Sequence, residues 1–253
     1  MNLHKKGFTL VELAIVIVII GLLVGGVLTG RELIKQAQIR NNIKRINEIT
    51  TAAATFLGKY NCIPGDCNKG TSYGLLRNGD GDGKIMLGAY GSNYFWLHLV
   101  TARMLNVVST DGLPFSNTNA DMYARFKNDV GAAANNTSTV RSGHMYASYG
   151  DIYTNNDPSF PFYSSQVATK TNGNTITITS YSLGGFQANA CFTPDETRIM
   201  DEKIDDGNAL TGKFYGTNAR NQMAGNYETC QTAGVYDSDD AKFKCRVIFE
   251  LGL

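Results

Sequence analysis

Glu12 is a carboxylate set inside an apolar run, Phe8-Thr9-Leu10-Val11-Glu12-Leu13, which continues with aliphatic residues and glycine from Ala14 to Leu28. At a bilayer centre a carboxylate costs on the order of 3 kcal/mol on insertion scales, so a residue kept there needs a purpose. Ahead of it stands Met1-Asn2-Leu3-His4-Lys5-Lys6-Gly7, short, basic and without an apolar stretch of its own. A secretory signal places its cleavage site after the apolar region, beside small residues. Here the basic part stops at Gly7, before the apolar region begins. A cut after Gly7 would make Glu12 the fifth residue, ~6 Å along a helix from a new cationic amine on Phe8. Within one helix that amine and that side chain do not face each other well. A second copy shifted along the axis supplies the amine instead, and relief of an unpaired carboxylate becomes a physical reason to polymerise.

A second group of oxygen ligands runs from Asn78 to Ile85, Asn-Gly-Asp-Gly-Asp-Gly-Lys-Ile. Asn78, Asp80 and Asp82 alternate as in the start of a calcium loop, Gly83 suits the sharp turn, and Ile85 takes the usual apolar position. The pattern then fails, because Ala89 stands where a bidentate Glu closes such a loop, so a calcium site would need oxygen donors from elsewhere. A plain Asp-Gly turn is the other reading of these residues, and the one the missing Glu favours. Asp237, Asp239 and Asp240 form another acidic cluster, read as a solvated turn.

Five cysteines, Cys62, Cys67, Cys191, Cys230 and Cys245, all follow the apolar run and would share one compartment. An oxidising one permits disulfides. Cys62 and Cys67 enclose the turn Ile63-Pro64-Gly65-Asp66, and Cys230 and Cys245 enclose a longer loop whose closure would contribute roughly 3 kcal/mol. Pairing stays open at this level, as do unbridged buried thiols, and the odd count leaves at least one thiol unpaired within the chain.

Two enzyme-like strings lack their context. Gly70-Thr71-Ser72-Tyr73-Gly74 spells a nucleophile elbow, but it lies in a turn-rich stretch after Cys67 with no strand before it. Gly207 to Lys213 spells most of a phosphate loop, yet Phe214 replaces the magnesium-binding hydroxyl and a helix rather than a strand precedes it. His4, His98 and His144 have no ligand spacing, and Asn135-Asn136-Thr137 is a glycosylation acceptor of a kind common by chance. A formal charge of +1 over 253 residues offers no basic face, so nucleic acid is not indicated as a partner.

The elements that carry these residues follow from periodicity. Phe8 to Leu28 is about 21 residues, roughly 31 Å as a helix and enough to cross a bilayer. Beyond it Ile39, Ile43, Ile46, Ile49, Ala53, Phe56 and Tyr60 recur every three or four residues. That is a helical stripe. No Pro interrupts Phe8 to Leu57, so one helix of about 50 residues is expected, its first half the anchor and its second half laid on a folded domain. Gly25, Gly26 and Gly30 weaken it locally or allow close helix packing. Further on, Asn93 to Leu105 reads as a helix with Trp96, Leu99 and Val100 on one face. Thr175 to Leu183 reads as a strand, Gly143 to Tyr153 and Arg246 to Leu251 as weaker ones. Thr193-Pro194-Asp195-Glu196 is a capping box with Pro at the first helical position, opening a helix through Ile204 that stops by Gly207. The expected fold class is α+β, a long N-terminal helix packed on a C-terminal antiparallel β-sheet domain. Its expected divisions are 1–7, 8–60 (8–28 spanning the membrane) and 61–253.

Lys5-Lys6-Gly7-Phe8-Thr9-Leu10-Val11-Glu12-Leu13 resembles the processing site of type IV prepilins and type II secretion pseudopilins. The resemblance implies that a prepilin peptidase cuts between Gly7 and Phe8 and that Phe8 is N-methylated. It also implies that Glu12 serves subunit registration, and that the leader stays inside while the large domain lies outside. It implies a pilin, minor pilin or pseudopilin of the bacterial inner membrane, single-pass, with its domain in the periplasm. Such a subunit would join a type IV pilus or a secretion pseudopilus with other pilin subunits through an inner-membrane assembly platform. The chain departs from many pilins in having glycines, not Pro, late in the apolar segment. A tip-located pilin that binds a ligand is the alternative reading, and a membrane-tethered periplasmic enzyme a third, for which the sequence offers no cluster of nucleophile, His and carboxylate. Two further segments, Ile63 to Ile85 with the Trp96 helix and Asp201 to Lys213, are similar to poorly characterised prepilin-like proteins and imply no known chemistry.

Overall fold

The computed structural model describes residues 9–85, 91–105, 124–127, 142–149, 173–180, 190–220, 227–237 and 242–253. The chain divides into two compact units, residues 1–42 and 43–253. Helix α1, Leu10–Tyr60, 51 residues long, runs through that boundary. In the first unit its apolar side chains from Leu10 to Ile34 are exposed. By length and composition α1 is able to cross a membrane. The expected stripe marks the rest of the helix: Ile39, Ile46, Ile49, Ala53 and Phe56 are buried, while Ile43 and Tyr60 are half-buried.

The second unit holds α2, Gly91–Thr101, and α3, Pro194–Ile204. Its strands are β1 Ala124–Lys127, β2 Ser142–Tyr149, β3 Asn174–Ser180, β4 Phe214–Arg220, β5 Tyr227–Glu228, β6 Gln231–Thr232, β7 Val235–Tyr236 and β8 Cys245–Glu250. Six of them form an antiparallel sheet in the order β1-β2-β3-β8-β4-β5, and β6 and β7 form a small hairpin. The C-terminal strand β8 is central, pairing Ile178 with Val247 on one side and Gly216 with Val247 on the other. Side chains alternate across a strand, so one face presents Ile176, Ile178, Phe214, Val247 and Phe249, all buried. The opposite face presents Thr175, Thr177, Thr217 and Arg246, and these too are buried, with Arg246 Nε donating to Thr217 Oγ1 at 2.8 Å. The layout is α+β: a long apolar-ended helix followed by an antiparallel sheet.

Local chemistry explains where α3 begins and ends. Thr193 Oγ1 accepts from Glu196 N–H at 3.3 Å, and the Glu196 carboxylate accepts from Thr193 N–H at 3.0 Å, which closes the expected capping box. Gly207, at φ +79°, follows the helix and gives its N–H to the buried Asp201 at 3.3 Å. Strand β4 was not expected. Its Gly216 is required by packing, since a Cβ there would lie 2.3 Å from the Tyr236 ring and 2.8 Å from Thr197.

Candidate functional site

The N-terminal site is built by the first turn of α1. Leu13 N–H donates to Thr9 C=O at 3.2 Å, which makes Thr9 the N-cap and Glu12 the third helical residue. Thr9 N–H and Thr9 Oγ1 both donate to Glu12 Oε2 at 2.8 Å, and Glu12 N–H returns a bond to Thr9 Oγ1 at 3.3 Å. This is a second capping box, at the position where the sequence pattern alone left a carboxylate without a partner. That expectation needs correction: Glu12 has two donors within its own chain, because Thr9 stands three residues earlier with a hydroxyl and a free amide. The carboxylate also lies at the positive end of the helix dipole. The cleavage and methylation positions Gly7 and Phe8, and His4 with them, lie outside the described residues.

A second constellation forms where two loop segments meet. Asp66 is buried, and its two oxygens accept from Gly81 N–H at 2.7 Å and Gly83 N–H at 2.8 Å. Gly79 is obligatory here, since a Cβ would lie 2.3 Å from the Asp66 carbonyl carbon. Carboxylate oxygens of Asp66, Asp80 and Asp82 lie within 4.8 Å of one another. Burial, and then the hydrogen bond with Asp80, push the Asp66 carboxyl up to about 6, while that same bond holds Asp80 below the ordinary range. One proton between the two carboxyls, or a hard cation among the three, relieves their repulsion. Of the residues singled out in sequence, Asp80 and Asp82 meet here. Asn78 Oδ1 accepts from Thr71 N–H at 2.8 Å, and Ile85 is buried with its N–H on Asn174 Oδ1 at 2.8 Å. Ala89 lies outside the described residues. Asp66 was missed as a ligand candidate, although Ile63-Pro64-Gly65-Asp66 and the Asn78 segment had both stood out.

The loop is fixed on both sides. Cys62 and Cys67 are disulfide-bonded, as are Cys230 and Cys245, leaving Cys191 as a buried thiol. His98 on α2 accepts Gly65 N–H at Nδ1 at 3.0 Å and holds Nε2 2.9 Å from Arg77 C=O. Its ring stacks on Phe56 of α1 at 5.7 Å between centroids.

A second carboxylate group, Asp201, Asp205 and Asp206, is taken up by loop building. Asp201 Oδ2 accepts the Tyr236 hydroxyl at 2.6 Å, Asp205 accepts Lys213 N–H, and Asp206 accepts Asn208 N–H at 2.9 Å. The two enzyme-like strings stay decoys. Gly70–Tyr73 is a 3-10 turn rather than a strand-to-helix elbow, and Gly207 to Lys213 follows α3 with Lys213 N–H on Asp205. Of the late acidic cluster, Asp237 pairs with Lys244 at 3.1 Å, and Asp239 and Asp240 lie outside the described residues, as do Asn135 to Thr137.

Comparison with known proteins agrees with the N-terminal geometry. Residues 2–28 match the family model described as the prokaryotic N-terminal methylation motif. That motif is the prepilin-type cleavage and methylation signal of type IV pilins and pseudopilins, and this chain carries it. No curated protein and no solved structure matches the chain.

Proposed function

We propose that this chain is a structural subunit, a pilin, minor pilin or pseudopilin, of a type IV pilus or type II secretion pseudopilus. The observation that carries the reading is the methylation motif at residues 2–28 running directly into a helix whose apolar side chains from Leu10 to Ile34 are exposed. Exposed aliphatic residues in such density demand hydrocarbon or other helices around them. Before assembly the subunit sits in the bacterial inner membrane, single-pass, with residues 61–253 in the periplasm. Prepilin peptidase removes residues 1–7, Phe8 is N-methylated, and the assembly platform feeds the subunit into the filament. There the Phe8 amine of one copy meets Glu12 of the next, two opposite charges paired in a medium of low dielectric constant. The chain works by packing, not by catalysis.

Intact-mass measurement of the native protein tests the first step. It should show residues 1–7 missing and one methyl group added on Phe8. Glu12→Ala should insert into membranes normally and fail to enter filaments; normal incorporation would remove the pairing from the account, and an unprocessed native N-terminus would remove the whole reading.

A further inference from the structure

We infer that Arg31, Lys35 and Arg40 form a basic girdle around α1 that binds the anionic headgroups of the membrane its apolar segment crosses. The inference rests on the membrane-anchored reading above and adds the class of lipid the anchor selects. From Leu13 to Gly30 α1 carries no charged side chain; Arg31, Lys35 and Arg40 then follow closely against the single acid Glu32. Arg31, Glu32 and Arg40 are exposed and Lys35 is half-buried. Glu32 Oε1 accepts the Gln36 side-chain N–H at 2.9 Å. The charge of +1 over the whole chain conceals this local excess. Lys44, farther along, pairs with Glu48 at 3.5 Å and adds little to it.

Depth along the helix points to headgroups. Arg31 stands just past Leu28, ~4.5 Å farther along the axis, and Arg40 lies about 14 Å beyond Arg31. Leu33 and Ile34, between Arg31 and Lys35, are themselves exposed, so long basic and aliphatic side chains share one turn. That mixture suits a bilayer boundary, where an Arg or Lys stem lies in hydrocarbon while its charge reaches the phosphates. Placement around the helix separates a lipid layer from a protein partner. At 3.6 residues per turn Lys35 falls about 40° from Arg31, whereas Arg40 falls about 180° from it. A protein partner would meet a stripe along one side; charges on both sides fit a surrounding layer. Basic residues so close to a span also oppose translocation of the segment that carries them, against the orientation that Lys5 and Lys6 of the leader favour. An anionic leaflet offsets that disadvantage, because it attracts each cation within a Debye length of the surface, roughly 8 Å.

The lipids that co-purify with the full chain test the girdle. The chain is reconstituted in vesicles of phosphatidylglycerol and phosphatidylcholine in equal amounts and with the same acyl chains, then released in polymer-bounded nanodiscs. Wild type should hold phosphatidylglycerol about threefold over phosphatidylcholine, and the ratio should fall toward that of the vesicles in about 1 M salt. Arg31→Gln combined with Arg40→Gln should return the ratio to that of the vesicles. Arg31→Lys combined with Arg40→Lys should keep the enrichment, since charge rather than guanidinium shape is at work. A wild-type lipid shell at the vesicle ratio, or enrichment that the glutamine pair leaves intact, overturns the headgroup role. So does loss of filament entry by the glutamine pair with its lipid shell unchanged, which would assign the girdle to a protein partner. The lipid ratio is independent of assembly: a native chain that keeps residues 1–7 yet gathers phosphatidylglycerol removes the pilin reading alone, and a chain found outside membranes removes both.

Discussion

His98 shows how a single ring ties three segments together. It lies fully buried on α2, accepts the Gly65 amide at Nδ1, faces the Arg77 carbonyl through Nε2, and makes stacked ring contacts with Phe56 and Tyr94. The Gly65 bond requires an unprotonated Nδ1, so the neutral tautomer with hydrogen on Nε2 is the one that fits. Burial pushes its pKa below the ordinary 6.5, and the Arg77 carbonyl opposes that shift only in part. The sign follows from linkage. As pH falls through 6.5 the unfolded chain takes up a proton that the folded chain resists, so stability held above 6.5 is lost below it. Denaturant melts of the full chain in detergent should therefore contain a His98 contribution that falls between pH 7 and pH 5, set against the opposite contribution of Asp66 and Asp201, whose carboxyls, raised to about 6, take up protons in the folded chain over the same window. His98→Gln should remove its contribution and cost about 1–3 kcal/mol at neutral pH, because the Gly65 amide or the Arg77 carbonyl loses its partner. An unchanged slope in the variant would place the pH sensitivity elsewhere.

The loop from Cys62 to Ile85 behaves as an element without regular secondary structure. Its disulfide closes one end, Asp66 gathers the Gly81 and Gly83 amides, and Asp80 and Asp82 come to lie beside the Asp66 carboxyl. Above the raised pKa of Asp66 three negative charges share this corner, and a divalent cation would offset two of them, binding at a concentration of about 1 mM or below, the range of extracellular calcium modules. Calcium is expected to raise the melting temperature of the full chain, a chelator to reverse the shift, and Asp80→Asn to abolish it. Should calcium leave wild type and variant melting alike, the three carboxylates serve the turn alone. Much of the element level could be read in advance. The α1 stripe needs only a period, and the α3 start needs only Thr193 and Glu196 at the right spacing. Asp66 as a companion of Asp80 could not be read, because the two lie on separate segments and meet only through the Gly79 approach to the Asp66 backbone. Strand β4 was hidden for a similar reason: Gly216 and Asn218 look like turn residues, yet one admits Tyr236 and the other receives the Cys230 amide at 2.8 Å. The order β1-β2-β3-β8-β4-β5 depends on pairings across long separations, which no local pattern encodes.

For the whole molecule, the exposed and buried stretches of α1 assign different surroundings to its two parts. Every large apolar side chain exposed on the helix lies between Leu10 and Ile34, and the first buried side chain along the helix is Ile39. A helix that leaves so many aliphatic groups uncovered is insoluble by itself, whereas the stripe from Ile39 to Phe56 is already covered. The full chain should therefore partition into membranes and need detergent for extraction. A chain beginning at Lys35 should be soluble without detergent and monomeric by light scattering, and should melt cooperatively, since it keeps both disulfides and every buried residue of α1. It should also fail to enter filaments, because Phe8 and Glu12 are gone with the apolar segment. Detergent-dependent solubility in the shortened chain would mean that a second apolar surface exists beyond Ile34. Filament entry without residues 8–34 would mean that the assembly contacts lie in the sheet-bearing unit, and the role given to the exposed half of α1 would have to be abandoned.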